Sequence, residues 1–238
     1  MEEVTNVNDQ VSAKVVPNTI TINVSSAKKY LTQRDNTIRP FGTCNTTAMV
    51  MALSYSGVEL PILQGYTQYE DALTDFLLHD PETLNFYSRI DPLNYARWKE
   101  FPNSLKVIPP NEYHAVLAYG TNRWVGKKAV EFSTSVPVDK IFGALAAGKP
   151  VILSGLWAGL RHIVCAVGFE TRQLDILTSG KVDISQIENI NIDDPFGNYK
   201  TKYQDQNGND ILVPYNEFLT ICREYNSVNK WAHMMVSP

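Results

Sequence analysis

Cys44-Asn45-Thr46-Thr47-Ala48-Met49-Val50-Met51-Ala52-Leu53 is the stretch that decides the reading of this chain. It predicts a strongly apolar helix that Gly57 can terminate, because glycine readily takes the left-handed backbone of a helix C-terminus. Upstream, residues 33–43 are loop-like and carry Asp35-Asn36, Pro40 and Gly42, so the helix opens at Cys44. A thiol at that position has the positive end of the helix dipole beside it, and a neighbouring imidazolium would stabilise its thiolate further. The commoner fate of a free cysteine is to be a small buried hydrophobe, so position alone does not decide the role of Cys44.

Outward from that helix, Thr19-Ile20-Thr21-Ile22-Asn23-Val24 alternates apolar and polar residues like a half-buried strand. Residues 1–17 are polar, lack periodicity and are expected as a flexible arm; residues 18–238 are expected to form a single domain. Residues 58–125 read as a helical insert. Within it, Asp80-Pro81 and Asp91-Pro92 each place a capping acid before a proline at the first helical position, and a further helix is expected at 111–119.

The last hundred residues change character. A helix over 138–147 stops at Gly148, and strands are expected at 151–154, 162–169, 174–177 and 182–192. The Asn207-Gly208 step predicts a hairpin between 199–203 and 211–214, followed by a helix over 215–223 and a strand at 231–236. Helices first and sheet last give an α+β class: a helical N-terminal half packed on a C-terminal antiparallel sheet.

Composition narrows the function. A hydrophobic share of 44%, with 19% charged residues over 238 positions, is that of an ordinary globular protein. A net charge of -4 without runs of Lys or Arg lacks the cationic footprint that nucleic acid or anionic lipid requires. No window resembles a membrane span or a signal peptide, so the expectation is a soluble protein made in the cytosol. Cys44, Cys165 and Cys222 are odd in number and far apart, which suits neither a disulfide framework nor a zinc site.

Four histidines can be compared as partners for the thiol. His162 opens the apolar strand His162-Ile163-Val164-Cys165-Ala166-Val167-Gly168-Phe169, at the lip of a sheet, and is the best general base. His79 ends a helix, while His114 and His233 lie in an amphipathic helix and a terminal strand. Strand alternation puts Cys165 on the face opposite His162, as inert core. A base also needs an acceptor for its second ring nitrogen. Asn191-Ile192-Asp193-Asp194-Pro195-Phe196-Gly197 offers one where Pro195 forces the chain out of a strand, although a turn with solvated acids is the ordinary reading of such a stretch.

The Cys helix, the Gly-Lys-Pro-Val-Ile-Leu strand at 148–153, the His strand and the Asp-Pro turn, in that order, resemble the papain-like cysteine peptidases of the double-glycine leader-peptidase-like group. The resemblance covers roughly residues 28–236. It implies a papain-like fold, with Cys44 as nucleophile, His162 as base and Asp194, rather than Asp193, as the residue that orients it. It also implies that Gln33, in Thr32-Gln33-Arg34-Asp35-Asn36, donates to the oxyanion. Two departures stand out: Asn45 replaces the Gly that usually follows the nucleophile, and Arg161 replaces the Gly before the histidine. Arg161 could narrow the cleft or bind an acidic group, and Trp157, Phe196 and Tyr199 could line it, with core packing the alternative for the aromatic residues.

The implied reaction is amide acyl transfer with no metal or organic cofactor. The resemblance to phage and bacterial lytic members points first to peptidoglycan, whose stem peptides an endolysin-like endopeptidase or amidase would cut after holin-type release to the periplasm or wall. A peptidase processing a leader, a precursor or a virion protein is the alternative. A non-catalytic binding module on the same scaffold is the third reading, against which stands the presence of all four site residues.

Overall fold

The computed structural model describes residues 19–104, 106–222 and 229–236, together with the backbone of Glu3–Thr5 and Ser12–Val16. These hold nine strands: β1 (Glu3–Thr5), β2 (Ser12–Val16), β3 (Thr19–Asn23), β4 (Val130–Val136), β5 (Val151–Trp157), β6 (Leu160–Thr171), β7 (Ile187–Asp193), β8 (Ile211–Pro214) and β9 (Lys230–Met235). The helices are α1 (Cys44–Tyr55), α2 (Tyr69–His79), α3 (Pro81–Ile90), α4 (Pro92–Glu100), α5 (His114–Trp124), α6 (Val138–Ala146), α7 (Ile176–Ser179) and α8 (Tyr215–Ile221). The α+β class follows, since every strand pairing is antiparallel.

The sheet runs β1-β2-β3-β6-β5-β9-β4, with β7 and β8 branching from β6. β6 is its hub. It pairs with β5 over 160–166 and with β7 over 165–171, so β3, which takes 168–171, must continue on the β5 edge. Gly168 permits this crowding: an added Cβ there would lie 1.9 Å from the carbonyl oxygen of Ile22. The β5–β6 hairpin turns through Ala158 and Gly159, at φ 48° and 79°, the left-handed pair that a two-residue turn between twisted strands requires.

Helices cover both faces. On one, α1 is buried nearly all round, from Thr46 through Leu53, because it lies between Ile163, Cys165 and Val167 of the sheet and Leu73, Leu77 and Leu117 of α2 and α5. A helix so enclosed has no polar stripe, as its sequence lacks one. Gly57, at φ 68°, ends it as expected, while the N–H of Val58 reaches the Leu53 carbonyl at 2.9 Å. On the other face, Ile141, Phe142 and Leu145 of α6 and Phe218 of α8 pack on Val151, Leu153, Val164 and Ala166. The carboxylates of Asp80 and Asp91 cap α3 and α4, each accepting a backbone N–H three residues on, from Thr83 at 2.9 Å and Asn94 at 3.0 Å.

The structure departs from the sequence reading in several places. The stretch 174–177 is no strand; α7 begins within it. The strand expected over 182–192 starts only at Ile187, because Asp183 accepts the N–H of Ser185 at 3.0 Å and winds 184–186 into a 3-10 turn. No hairpin joins 199–203 to 211–214: Tyr199–Thr201 is a 3-10 turn headed by Asn198, and β8 pairs with β7. β4 has no counterpart in the sequence reading, since Glu131 and Ser133-Thr134-Ser135 give this strand at the end of the sheet order a polar sequence. Of the segment expected as a flexible arm, β1 and β2 pair with each other and β2 with β3, and its other residues lie outside those described.

Candidate active site

Three elements bring the sequence-selected side chains together. Cys44 is the first residue of α1, His162 the third of β6, and Asp194 follows the last residue of β7. The His162 Nε2–H donates to Asp194 Oδ1 at 2.6 Å, with the imidazole 8% exposed and the carboxylate fully buried. Burial alone would lower the His162 pKa. The charges of Cys44 and Asp194, with hydrogen bonds to both, overcome it and carry the pKa up to about 10. With Nε2 engaged by Asp194, Nδ1 is left for the thiol. The ring thus lies between the Asp194 carboxylate and the Cys44 thiol.

Asp194 is held by its backbone as well. Its N–H donates to the Gly208 carbonyl at 2.8 Å, and its own carbonyl accepts the Tyr30 hydroxyl at 2.6 Å. The next two carbonyls are taken by the segment around Gln33. Pro195 O accepts the Gln33 N–H at 2.9 Å and the Thr32 hydroxyl at 3.1 Å, and Phe196 O accepts Arg34 Nε at 2.7 Å. Arg34 also donates from Nη2 to Tyr203 O at 3.3 Å and lies 4.1 Å above the Phe196 ring. Segment 30–34 is thus laced to the turn that carries the acid.

The neighbouring carboxylate has a separate place. Asp193 pairs in register with Cys165, on the α1 side of the sheet, where it accepts the Tyr55 hydroxyl at 2.7 Å and the Asp210 N–H at 2.9 Å. Burial raises its pKa to about 6, despite both hydrogen bonds. Successive residues of an extended chain point to opposite faces, and Asp194, just beyond the strand, turns away from the side that Asp193 takes.

Gln33 sits in a 3-10 turn and is 2% exposed, with its Nε2 donating to the Pro40 carbonyl at 2.7 Å. Asn45, the residue that departs from the usual glycine, accepts the Thr46 N–H at 2.9 Å and hydrogen-bonds through Nδ2 to the Asn111 carbonyl. Its side chain therefore joins the start of α1 to the turn Pro110–Glu112.

Of the cleft residues suggested by sequence, Arg161 is exposed, and Phe196 is half-buried with its ring centroid 6.2 Å from that of His162 and 6.4 Å from that of Phe41. Trp157 requires correction. It is fully buried in the core, edge-on to Tyr199 at 5.2 Å, because strand alternation turns it inward beneath the hairpin; as placed, it has no surface for a substrate. Tyr199 is likewise core, its hydroxyl donating to Glu217 at 2.9 Å. Cys165 and Cys222 are buried, and burial with the Asp193 charge pushes the Cys165 thiol well up.

Sequence reasoning misses the ring of supports around residues 33–44. Asp71 accepts bonds from Thr37 and Ile38, Glu112 pairs with Arg39 at 3.0 Å, and Asn36 donates to Thr43 and Thr47 at 2.8 and 3.0 Å. Asp71 carries only the signal of an acid in the first turn of a helix, which is common to most helices. Among the described residues, no three His, Cys, Asp or Glu side chains gather as metal ligands, and no helix is long and apolar enough to cross a membrane.

No curated protein matches the chain. Its fold is similar to the crystal structure of a candidate C39-like peptidase from Bacillus anthracis, with a TM-score of 0.51 at 15% identity over 92% of this chain and 98% of that one. Residues 26–218 match the model of the Peptidase_C39 like family. That match takes in Gln33, Cys44, His162 and Asp194 and spans well over half the sequence, so the chain belongs to the C39-like peptidase family of papain-like cysteine hydrolases.

Proposed function

We propose that this protein cleaves a peptide or amide bond with Cys44 as nucleophile, His162 as acid and base, Asp194 as the residue that orients the imidazole, and Gln33 as an oxyanion donor. The observation that carries this reading is the buried His162–Asp194 bond of 2.6 Å beside a thiol at a helix N-terminus. The thiolate attacks the carbonyl carbon, and the oxygen gains charge that the Gln33 amide and the Cys44 backbone N–H receive. The C–N bond breaks as His162 passes its proton to the leaving amine. His162 then takes a proton from water, which attacks the thioester and releases the Cys44 sulfur.

Peptidoglycan stem peptides are the substrate that the resemblance to wall-active members supports. A second reading, processing of a leader, precursor or virion protein, is supported by Phe41. This residue is 86% exposed three positions before Cys44 and edge-on to Phe196, an apolar surface suited to a bulky side chain that stem peptides lack.

Purified sacculi and a panel of unfolded polypeptides separate the readings. Loss of sacculus turbidity that Cys44→Ala abolishes supports the wall reading, and inertness there with Cys44-dependent cleavage of polypeptides supports processing. One equivalent of iodoacetamide should modify Cys44 in preference to Cys165 and Cys222, with a rate that falls at least tenfold in His162→Ala. Equal modification of all three thiols would refute an activated nucleophile.

A further inference from the structure

An oxyanion donor works only if its N–H is aimed before the charge appears. The Gln33 amide carries two N–H bonds, of which the Pro40 carbonyl takes one at 2.7 Å. Its Oε1 is buried with no hydrogen-bond partner among the described residues. The plane of the amide, and the direction of its second N–H, are therefore set from the Pro40 side.

Pro40 is in turn placed by its neighbours. Thr37 donates to Asp71 Oδ2 through its N–H at 2.9 Å and its hydroxyl at 2.6 Å, and Ile38 N–H donates to Asp71 Oδ1 at 2.9 Å. Arg39 takes the left-handed φ of 54°, unusual for a residue with a Cβ, and pairs with Glu112 at 3.0 Å. Asn111 Nδ2 donates to the Gly42 carbonyl at 3.2 Å. Asp71 lies in the first turn of α2, and Asn111 and Glu112 belong to the turn before α5. All three supports therefore come from the helical segment between α1 and β4.

Asp71 is 1% exposed and spends both oxygens on three donors, so each oxygen must remain an acceptor. An asparagine there would offer one oxygen and turn N–H bonds toward an N–H. We propose that Asp71 is a positioning residue for the oxyanion site, fixing the Gln33 amide through the Thr37-to-Pro40 loop. This rests on the reading of Gln33 as an oxyanion donor, and it gives the inserted helices a role in the chemistry, that of aiming a catalytic amide.

Two probes of Cys44 separate aiming from simple support. N-acetylglycinal adds the thiol across its carbonyl, the sulfur bonding to carbon and the thiol proton ending on oxygen, so its affinity reads the oxyanion site. Iodoacetamide alkylates the same sulfur with loss of iodide and makes no oxyanion. Asp71→Asn should weaken aldehyde binding by about 10- to 100-fold, as Gln33→Ala should, because one aimed donor is worth roughly that or more. Alkylation should stay within about twofold, and Asp71→Asn should add nothing in a Gln33→Ala background, where two groups acting as one unit are not additive. The milder Thr37→Val, which deletes only the 2.6 Å bond, should shift aldehyde affinity the same way by a smaller factor and stands in if Asp71→Asn does not fold. Multiplicative effects, equal losses with both probes, unchanged aldehyde affinity, or rapid alkylation of the wild type with no aldehyde adduct would each overturn the proposal. Slow alkylation of wild-type Cys44 would refute the proposed catalytic centre itself, and this inference with it.

Discussion

The Tyr55 hydroxyl donates to Asp193 Oδ2 at 2.7 Å, tying the last residue of α1 to the last residue of β7. Both groups are buried, so the helix that begins with Cys44 ends on the strand that leads into Asp194. Cys44 and Asp194 are thereby fixed to one frame at its far side as well as through His162.

That frame has a pH signature. Burial holds the Asp193 pKa up at about 6, above the 3.8 of an unperturbed carboxyl. Between those values the folded chain keeps a proton that the unfolded chain has released, so this group's contribution to stability falls as pH rises through the window and is constant above it. Asp193→Asn should flatten the dependence between about pH 4 and 6 in urea denaturation. A variant whose pH profile parallels the wild type would refute this assignment.

His162 behaves in the opposite sense at the level of charge, since its favoured form is the cation. Its pKa of about 10 exceeds the ordinary 6.5, so the contribution is full below pH 6.5 and is lost as pH rises through 10. NMR of the ring protons should show His162 titrating near 10. Burial is the strongest single influence and lowers the pKa, so Cys44→Ala, which removes one opposing charge, should move the midpoint down. A midpoint that Cys44→Ala leaves in place would show that the thiol does not face the ring.

Two glycines should separate function from stability. A Cβ on Gly208 would lie 2.0 Å from Asp194 O and 2.8 Å from the Tyr30 hydroxyl, so Gly208→Ala should push the acid out of line and cut kcat at least tenfold. Gly168→Ala sets a Cβ 1.9 Å from Ile22 O at the crossing of β6 and β3, where it should cost about 1 to 3 kcal/mol of stability. Equal loss of denaturation midpoint in both variants, with no separate effect on kcat, would contradict this division.

Arg34 spans two carbonyls seven residues apart, at 2.7 and 3.3 Å, and its plane lies over Phe196. A lysine keeps the charge and loses the fork. Arg34→Lys should therefore lower kcat about tenfold, while Arg89→Lys, at an exposed position of α3, should leave kcat unchanged. Full activity in Arg34→Lys would show that the turn after β7 holds itself.

The parts of the site legible in sequence are those with a local signature. Cys44 stands before an apolar run, His162 heads a strand, and Asp194 precedes a proline. Each signal spans a few residues, within reach of helix and strand periodicity. The supports are illegible for the opposite reason: Asp71 lies 34 residues from Thr37, and Glu112 lies 73 from Arg39. Asn207-Gly208 misleads because Gly208 serves close approach to Asp194, where the same dipeptide more often serves a hairpin. Trp157 misleads because proximity to His162 in sequence says nothing of which face a strand residue takes.

Asp193 and Asp194 are chemically identical, and their places, one at the end of β7 and one just beyond it, give one a tyrosine and the other an imidazole. A one-residue insertion between Ile187 and Asp193 that kept the upstream pairing would carry Asp193 to the imidazole and leave Ile192 at the tyrosine, and a deletion would carry Asp194 to the tyrosine and leave Pro195 at the imidazole. Length variation in homologues should therefore avoid that strand, and be found in connections such as 172–183, where no alternation is at stake.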